Sequence, residues 1–443
     1  CVLARKNQAI CGGTFQFFRS GKTFVRIVSC SHRKYFLVNW AILFNLFSRV
    51  ASAAFGLLVS VVVSRELGAE IKGDHALFVV GVSIIHLFTN LFGGASLGYL
   101  APRHSLAFLV RLSTGWSVLS GAVCGAILWG MGLLPAGFEW YIIASGILFA
   151  CWNSYVTLLL GREHNRAYNI IQFINPLMSA GFLLVLLYTF QHNLYAFANG
   201  YTASQVLTVV VSFIWVRTLP DDKKHSDERN WKYLFKHGIY IQLANLTQFL
   251  NYRILFYLID DFFGRAFLGV YSNALALAES VWMVSKSIST VQFSRIVNSD
   301  SDAEARAITR KYIPVSLGVS AVGIAALLLI PGSFFTFLFG KDFSEVSELM
   351  LWLSPAILAL SVGTIYSHYF AGKGLNRVNF VGSLINLAML IAVFFVSRPW
   401  LAEFTAPFSA SVSFVATTVY HVWMFYGKSQ KPRAKSQDTG ITN

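Results

Sequence analysis

Apolar runs long enough to cross a hydrocarbon layer recur from residue 38 to residue 426, and that repetition leaves few folds open. Lipid offers backbone amides no partner, so a crossing segment must satisfy its own hydrogen bonds, as an α-helix of about 20 residues does. Twelve segments of that kind can be drawn, at 38–64, 75–98, 106–133, 139–160, 168–190, 195–217, 234–262, 266–292, 312–338, 345–371, 377–397 and 402–426. The expected class is an all-α integral membrane protein with about 12 transmembrane helices. A composition of 55% hydrophobic and 12% charged residues agrees, since soluble domains carry roughly 25% charged residues.

Basic residues give these segments a direction. Of 35 Lys and Arg, 27 lie in or beside the tails and even-numbered gaps, and 5, among them Arg65 and Lys72 in the first gap, lie in or beside the odd-numbered ones. Positive loops stay on the cytoplasmic side, which places both termini in the cytoplasm. A net charge of +15 would otherwise point to nucleic acid, but in short loops flanking apolar runs it meets anionic lipid, so no nucleic-acid partner is expected. Cys1, Cys11, Cys30, Cys124 and Cys151 show no CxxC spacing, and neither a disulfide, a metal site nor a cofactor is expected. Residues 1–37 contain no Asp or Glu and are read as a basic, disordered tail against the membrane surface, although an acid-poor, Arg-containing tail is also the pattern of an organellar transit peptide. The first apolar run then serves as an uncleaved anchor.

The longest polar stretch between segments divides them six and six. The expected organisation is an N-lobe at 38–217, a cytoplasmic linker at 218–233, a C-lobe at 234–426 and a cytoplasmic tail at 427–443. Gly68 and Gly73 after the first segment correspond in spacing to Gly264 and Gly269 after the seventh. Six segments per half bring both halves in from the same side, a parallel repeat about an axis along the membrane normal. Outward gaps are too short to house a catalytic domain, so an enzyme is not expected and function must lie among the helices.

A basic side chain at mid-membrane costs about 2.5–3.5 kcal/mol, so charges within the segments mark a cavity or a partner. Arg49, Arg253 and Lys286 are the three Lys or Arg residues left within them. Asn45, Arg49 and Ser52 form a polar stripe on the first segment, and Asn245, Gln248, Asn251, Tyr252 and Arg253 make the seventh unusually polar before it ends at Asp260 and Asp261. Glu279 and Lys286 are seven apart on the eighth. Candidate substrate contacts are therefore Arg49, Arg253, Lys286, Asn45, Asn245, Gln248 and Tyr252, and candidate ion-coupling groups are Glu279, Asp260, His86 and His368. Against this stand simpler readings: Arg49 and Lys286 can snorkel to the interface, and a helical histidine is more often a hydrogen-bonded packing residue than a proton carrier.

The stretch Gly238–Ile296, with Asn245-Leu-Thr-Gln-Phe-Leu-Asn-Tyr-Arg253, Gly269-Val-Tyr271, Ala278-Glu279 and Ser289-Thr-Val-Gln-Phe-Ser-Arg295, resembles the polysaccharide-exporter or O-antigen flippase family. Ser64-Arg65-Glu66-Leu67-Gly68-Ala69-Glu70, Leu338-Phe-Gly340-Lys-Asp-Phe343 and Ala371-Gly-Lys-Gly374 resemble further signatures of that family, and the likeness covers roughly residues 38–426. It implies two six-helix lobes around a central cavity, as in multidrug and toxin extrusion (MATE) transporters and lipid II flippases, with the first and seventh helices lining the cavity. The implied substrate is an oligosaccharide repeat unit on polyprenyl pyrophosphate, for O-antigen, lipopolysaccharide or another surface polysaccharide, moved from the cytoplasmic to the outer leaflet of the inner (plasma) membrane. Arginine would grip the pyrophosphate as a bidentate fork. Membrane lipid, a polysaccharide polymerase, chain-length proteins, and H+ or Na+ are the implied partners. One departure stands out: many members carry an acid two places after the Arg of the Tyr-Arg motif, where this chain has Leu255. A drug exporter on the same fold, a transferase using lipid-linked sugars and a non-transporting scaffold are the rival readings; the mostly basic intramembrane charges favour an anionic substrate over cationic drugs.

Overall fold

The computed structural model describes the backbone of residues 22–90, 97–98, 100–102, 104–190, 192–220, 230–299 and 301–427, and their side chains except at 22–47, 49–50 and 230–245. The described elements are helical throughout: α1 (Lys22–Thr89), α2 (Leu106–Gly130), α3 (Glu139–Gly161), α4 (Asn165–Thr189), α5 (Leu194–Arg217), α6 (Asn230–Phe263), α7 (Arg265–Val297), α8 (Asp302–Leu328), α9 (Gly332–Phe339), α10 (Val346–Gly372), α11 (Asn376–Leu401) and α12 (Thr405–Gly427), with 3-10 turns at Lys341–Phe343 and Ala402–Phe404.

Among the described residues, nine stretches are long and apolar enough to cross a membrane. Three of them contain a break: Ala51–Thr89 bends at Gly68, Lys341–Gly372 joins a 3-10 turn to α10, and Asn376–Gly427 holds both α11 and α12. α6, which carries Gln248, Asn251, Arg253, Asp260 and Asp261, is not among the nine. The expected segment at 312–338 is divided between α8 and α9, because Pro331 stands at the N-cap of a new helix. Large apolar side chains such as Leu119, Val322 and Trp400 point outward, which suits a lipid surface.

Two glycines turn the chain where a Cβ would obstruct it. Gly68 has φ 83 and Gly264 has φ 87, values open to glycine at little cost, so α1 bends into a second arm and α6 passes directly into α7. The second arm of α1 then lies against α7. A Cβ on Gly73 would strike the carbonyl oxygen of Arg265, and one on Gly269 would strike the carbonyl oxygen of Ala69. The contact is reciprocal: Gly73 admits the backbone at the start of α7, and Gly269 admits the backbone at the start of the second arm of α1.

Buried apolar residues gather into clusters that follow the chain. Val59, Phe78, Ile85, Ile142 and Phe197 belong to one cluster, and Leu109, Trp152, Tyr155 and Val216 to another, their buried members all from α1–α5 and the residues that connect α1, α2 and α3. Leu255, Tyr271, Phe335, Leu353 and Phe394 form a third with Ala76, Leu77 and Val80 of α1. Lipid is as apolar as these side chains, so helix pairing relies on close contact and interhelical hydrogen bonds. Asn175 donates to Gln205 at 3.1 Å and to Thr208 at 3.0 Å between α4 and α5. Ser320 bonds both Ser285 at 2.7 Å and Ser361 at 2.8 Å, tying α7, α8 and α10 together.

Candidate functional site

The first polar assembly is a latch between the two halves of the chain. Breaking α1 at Gly68 leaves the amide of Ala69 at the start of a helical arm without an intrahelical partner. Asp342, from the turn after α9, accepts that N–H at 3.3 Å. Arg65 donates to the Phe337 carbonyl at 3.0 Å and lies 5.3 Å from the Phe337 ring. Arg265 binds Asp260 of α6, with one contact at 2.9 Å, and also Asp74 of α1. The motifs Ser64–Glu70 and Leu338–Phe343, far apart in sequence, are thus two sides of one contact. Asp260, expected as an ion-coupling group, is here one arm of an ion-paired bridge.

Just inside the latch is a cation that sequence reasoning placed in an outward gap. Lys72 is only 4% exposed. Its Nζ donates to Ser60 Oγ at 2.8 Å and lies 3.2 Å from His75 Nδ1. Ser60 donates to Asn273 Oδ1 at 2.8 Å, and Asn273 donates to Ser64 Oγ at 2.7 Å, so α1 and α7 share the network. Among the described residues no carboxylate pairs with Lys72. An ammonium held this way opposes closure, so Lys72→Met, similar in length, is expected to raise thermal stability in detergent by an equivalent of about 1 kcal/mol. Ser60 keeps Asn273 in that variant. A lower melting temperature would show that the Ser60 and His75 bonds outweigh the burial of charge. Opening the latch gives the converse: Arg265→Ala leaves Asp74 and Asp260 without their shared cation. With native cysteines replaced, maleimide labelling of Ser272→Cys should rise about fivefold, as loss of ~1 kcal/mol predicts. Unchanged labelling would remove the ion pair from the closure.

The second assembly lies within the later helices. Arg253 of α6 faces Glu279 of α7 with both terminal guanidinium nitrogens, at 3.1 and 3.2 Å, and sits 5.2 Å from the ring of Phe256. Its fork, the feature that made it a pyrophosphate candidate, is occupied by a carboxylate of its own chain. Glu279 therefore serves as counter-ion in this conformation.

Beside this pair is a cavity of about 480 Å³ between α6, α7, α10, α11 and α12. Gln248, Tyr252, Lys286 and His368, all expected from sequence, line it together. Tyr252 stacks on Phe414 at 5.6 Å and lies 5.5 Å from Trp282, whose ring is 5.1 Å from Lys286 Nζ. His368 is bonded through Nδ1 to the Thr364 carbonyl at 2.9 Å. Sequence reasoning followed the charges and missed Asn376, Asn379, Ser383 and Asn386 of α11 and Thr417, Thr418 and His421 of α12, which line the same cavity. A signal was present: the α11 residues recur at i, i+3, i+7 and i+10, a polar stripe along one face.

His86 lies outside this assembly. Its Nε2 is 2.9 Å from Asn90 Nδ2 and its ring meets Phe149 edge-on at 4.5 Å, a packed and bonded histidine of the first half. The side chains of Asn45, Arg49 and Asn245 lie outside the described residues.

Comparison with known proteins places this architecture. Residues 136–348 match the family described as "Polysaccharide biosynthesis protein". The "Capsular polysaccharide biosynthesis protein CapF" of Staphylococcus aureus is 23% identical over 265 residues, 57% of this chain and 64% of that protein, so the match spans under two thirds of that relative's length. An inward-facing multidrug-resistance MATE family transporter of the MOP superfamily superimposes with TM-score 0.66 at 13% identity, over 86% of this chain and 96% of that one. The lipid II flippase MurJ in an inward closed conformation gives 0.64 at 12% identity, over 86% and 87%. The family match is to polysaccharide biosynthesis proteins, and the fold is that of MATE transporters and MurJ. A mutant of the Vibrio cholerae MATE transporter VcmN shares that fold too, with TM-score 0.56 at 12% identity over 90% of this chain and 97% of that one. At such identities the likeness is one of fold. The Tyr-Arg motif that resembles the polysaccharide-exporter family lies within the matched residues 136–348, and the MATE-like fold expected from that resemblance is the one observed.

Proposed function

We propose that this chain is a flippase that carries a glycan on polyprenyl pyrophosphate from the cytoplasmic to the outer leaflet, for a surface polysaccharide such as O-antigen. The observation that carries the reading is the latch. Contacts between the early and later helices centre on α1, around and beyond its Gly68 bend, with α6, α7, α9 and the turn after it, held by Arg265, Asp342 and the Gly73–Gly269 approach. By the distribution of basic residues this is the outer end. A pair of bodies sealed at the outer end, with a polar cavity deeper in, is one of the two states that alternating access requires. The reading includes twelve spans in two six-helix lobes, 38–217 and 234–426, with the linker 218–233 and both tails in the cytoplasm. Physics suits such a cargo: sugars and pyrophosphate cannot cross hydrocarbon unaided, whereas the polyprenyl tail stays in lipid. With the cell interior negative, outward movement of two negative charges gains about 2.3 kcal/mol per charge per 100 mV.

Drug export is the second reading, favoured by the MATE fold. Among the described residues, however, the cavity lining includes Lys286 and neither Asp nor Glu, a poor match to cationic drugs. The deciding experiment measures lipid-linked repeat units on the cytoplasmic leaflet of cells lacking the protein. Build-up that wild type relieves supports the flippase; no build-up turns the assignment to drug export or another cargo.

A further inference from the structure

The cavity has a chemical polarity that its cation conceals. Asn251 donates its side-chain N–H to the Ser383 carbonyl at 3.1 Å, and Asn379 donates to the Ser367 carbonyl at 2.9 Å. Those bonds decide which end of each amide is nitrogen, because the partners are carbonyls that can only accept. The oxygens are therefore the ends left over, and neither Asn251 Oδ1 nor Asn379 Oδ1 has a partner among the described residues. Asn386, 1% exposed, also has its Oδ1 unpaired, and His421, 6% exposed, has both ring nitrogens unpaired. All four residues line the one cavity.

Buried acceptors without donors are costly, and lipid has no donor to offer. A ligand that relieves the three amide oxygens must bring O–H or N–H groups, and a neutral His421 ring adds one donor and one acceptor of its own. The pyrophosphate of a lipid-linked sugar cannot: esterified at both ends, it bears no O–H, its oxygens only accept, and amide oxygens would face them with like partial charge. A sugar can, since each hydroxyl donates one hydrogen and accepts others. The aromatic wall fits the same ligand, because Tyr252, Trp282 and Phe414 line the cavity together and aromatic rings suit the C–H face of a pyranose. The volume of about 480 Å³ lies within the ~300–1,000 Å³ of small-molecule pockets.

We infer that this cavity is a hydroxyl-reading sugar subsite, taking one or two residues of the glycan while the pyrophosphate is held elsewhere. The inference rests on the flippase reading for its cargo and adds which part of the cargo sits here. Lys286, at the edge of the aromatic wall, would meet a ring oxygen or the carboxylate of an acidic sugar.

The test uses the full chain in nanodiscs, native cysteines replaced, with Thr418→Cys as a maleimide reporter inside the cavity. A neutral hexose, a 6-deoxyhexose, an N-acetylhexosamine and a hexuronate are each added, and inorganic pyrophosphate and NaCl against choline chloride are run beside them. At least one sugar should slow labelling about threefold or more, pyrophosphate should not, and protection should fall about fivefold in Asn386→Leu, the loss expected for about one hydrogen bond. Asn379→Leu, on a less buried residue, carries the same expectation should Asn386→Leu fail to fold. Protection by pyrophosphate in place of sugars, protection by sodium alone, or no protection by any of the four sugars overturns the subsite. The two readings fail separately. Sugar protection without build-up of lipid-linked units in cells would sink the flippase and leave the subsite, whereas build-up without sugar protection would sink only the subsite.

Discussion

Gly269→Ala is expected to break the closure between the halves although it adds one methyl group. The new Cβ would strike the carbonyl oxygen of Ala69 and lie 3.0 Å from both the Ala69 carbonyl carbon and the amide nitrogen of Gly73. Those atoms are backbone at the start of the second arm of α1, so no side-chain rotation can relieve the overlap. Overpacking a core costs about 1–3 kcal/mol, and a clash with main chain belongs at the upper end or beyond. Gly73→Ala should do the same through the Arg265 carbonyl, as the reciprocal contact requires. Gly318→Ala is the control: nothing lies within 4 Å of its Cβ, and replacing a mid-helix glycine stabilises by about 0.5–1 kcal/mol. Thermal unfolding in detergent and maleimide access to Ser272→Cys measure both effects. Equal stability of the Gly269 and Gly318 variants would show that the halves do not close on this contact.

Arg253→Ala should be the most damaging charge deletion among the described intramembrane residues. It strands Glu279, whose two oxygens lose contacts at 3.1 and 3.2 Å. Removing one partner of a fully buried pair costs about 3–5 kcal/mol; these side chains are 28% exposed, so about 2–3 kcal/mol is the expected loss. Loss of transport in this variant alone would not separate a structural from a substrate role. The double variant Arg253→Gln with Glu279→Gln does, because it removes both charges together and leaves no carboxylate stranded. Stability should return in it, and transport should return with stability if the pair only joins α6 to α7. Restored stability with transport still absent would instead make Arg253 a contact for the pyrophosphate.

Several elements of this structure were legible beforehand. Length and apolarity identified the all-helical membrane class, and of the equally spaced pairs Gly68–Gly73 and Gly264–Gly269 the second members, Gly73 and Gly269, make a reciprocal close approach. The charges at 253, 279 and 286 were conspicuous because charge in lipid is costly. Two readings could not be obtained that way. Lys72 counted as an outward-gap residue because hydropathy averages over windows, and a single Lys near Gly68 and Gly73 looks like a turn residue whichever way it points. The acceptors Asn379 and Asn386 are uncharged, so a search led by charge passed over them although their helical spacing was visible, and Asn251 was read as part of a polar helix without a place in a cavity.

Helical class and the polar faces of individual helices followed from the order of residues alone, since lipid permits few backbones and a 3.6-residue period shows at once which side of a helix is polar. What each face meets was decided only in three dimensions. The pairing of Arg253 with Glu279, the bridge from Arg265 to Asp74, the burial of Lys72 beside Asn273 and the gathering of α6, α11 and α12 amides in one cavity all join different helices. A period within one helix carries no record of its neighbours, because partners that satisfy a buried polar atom are chosen by packing.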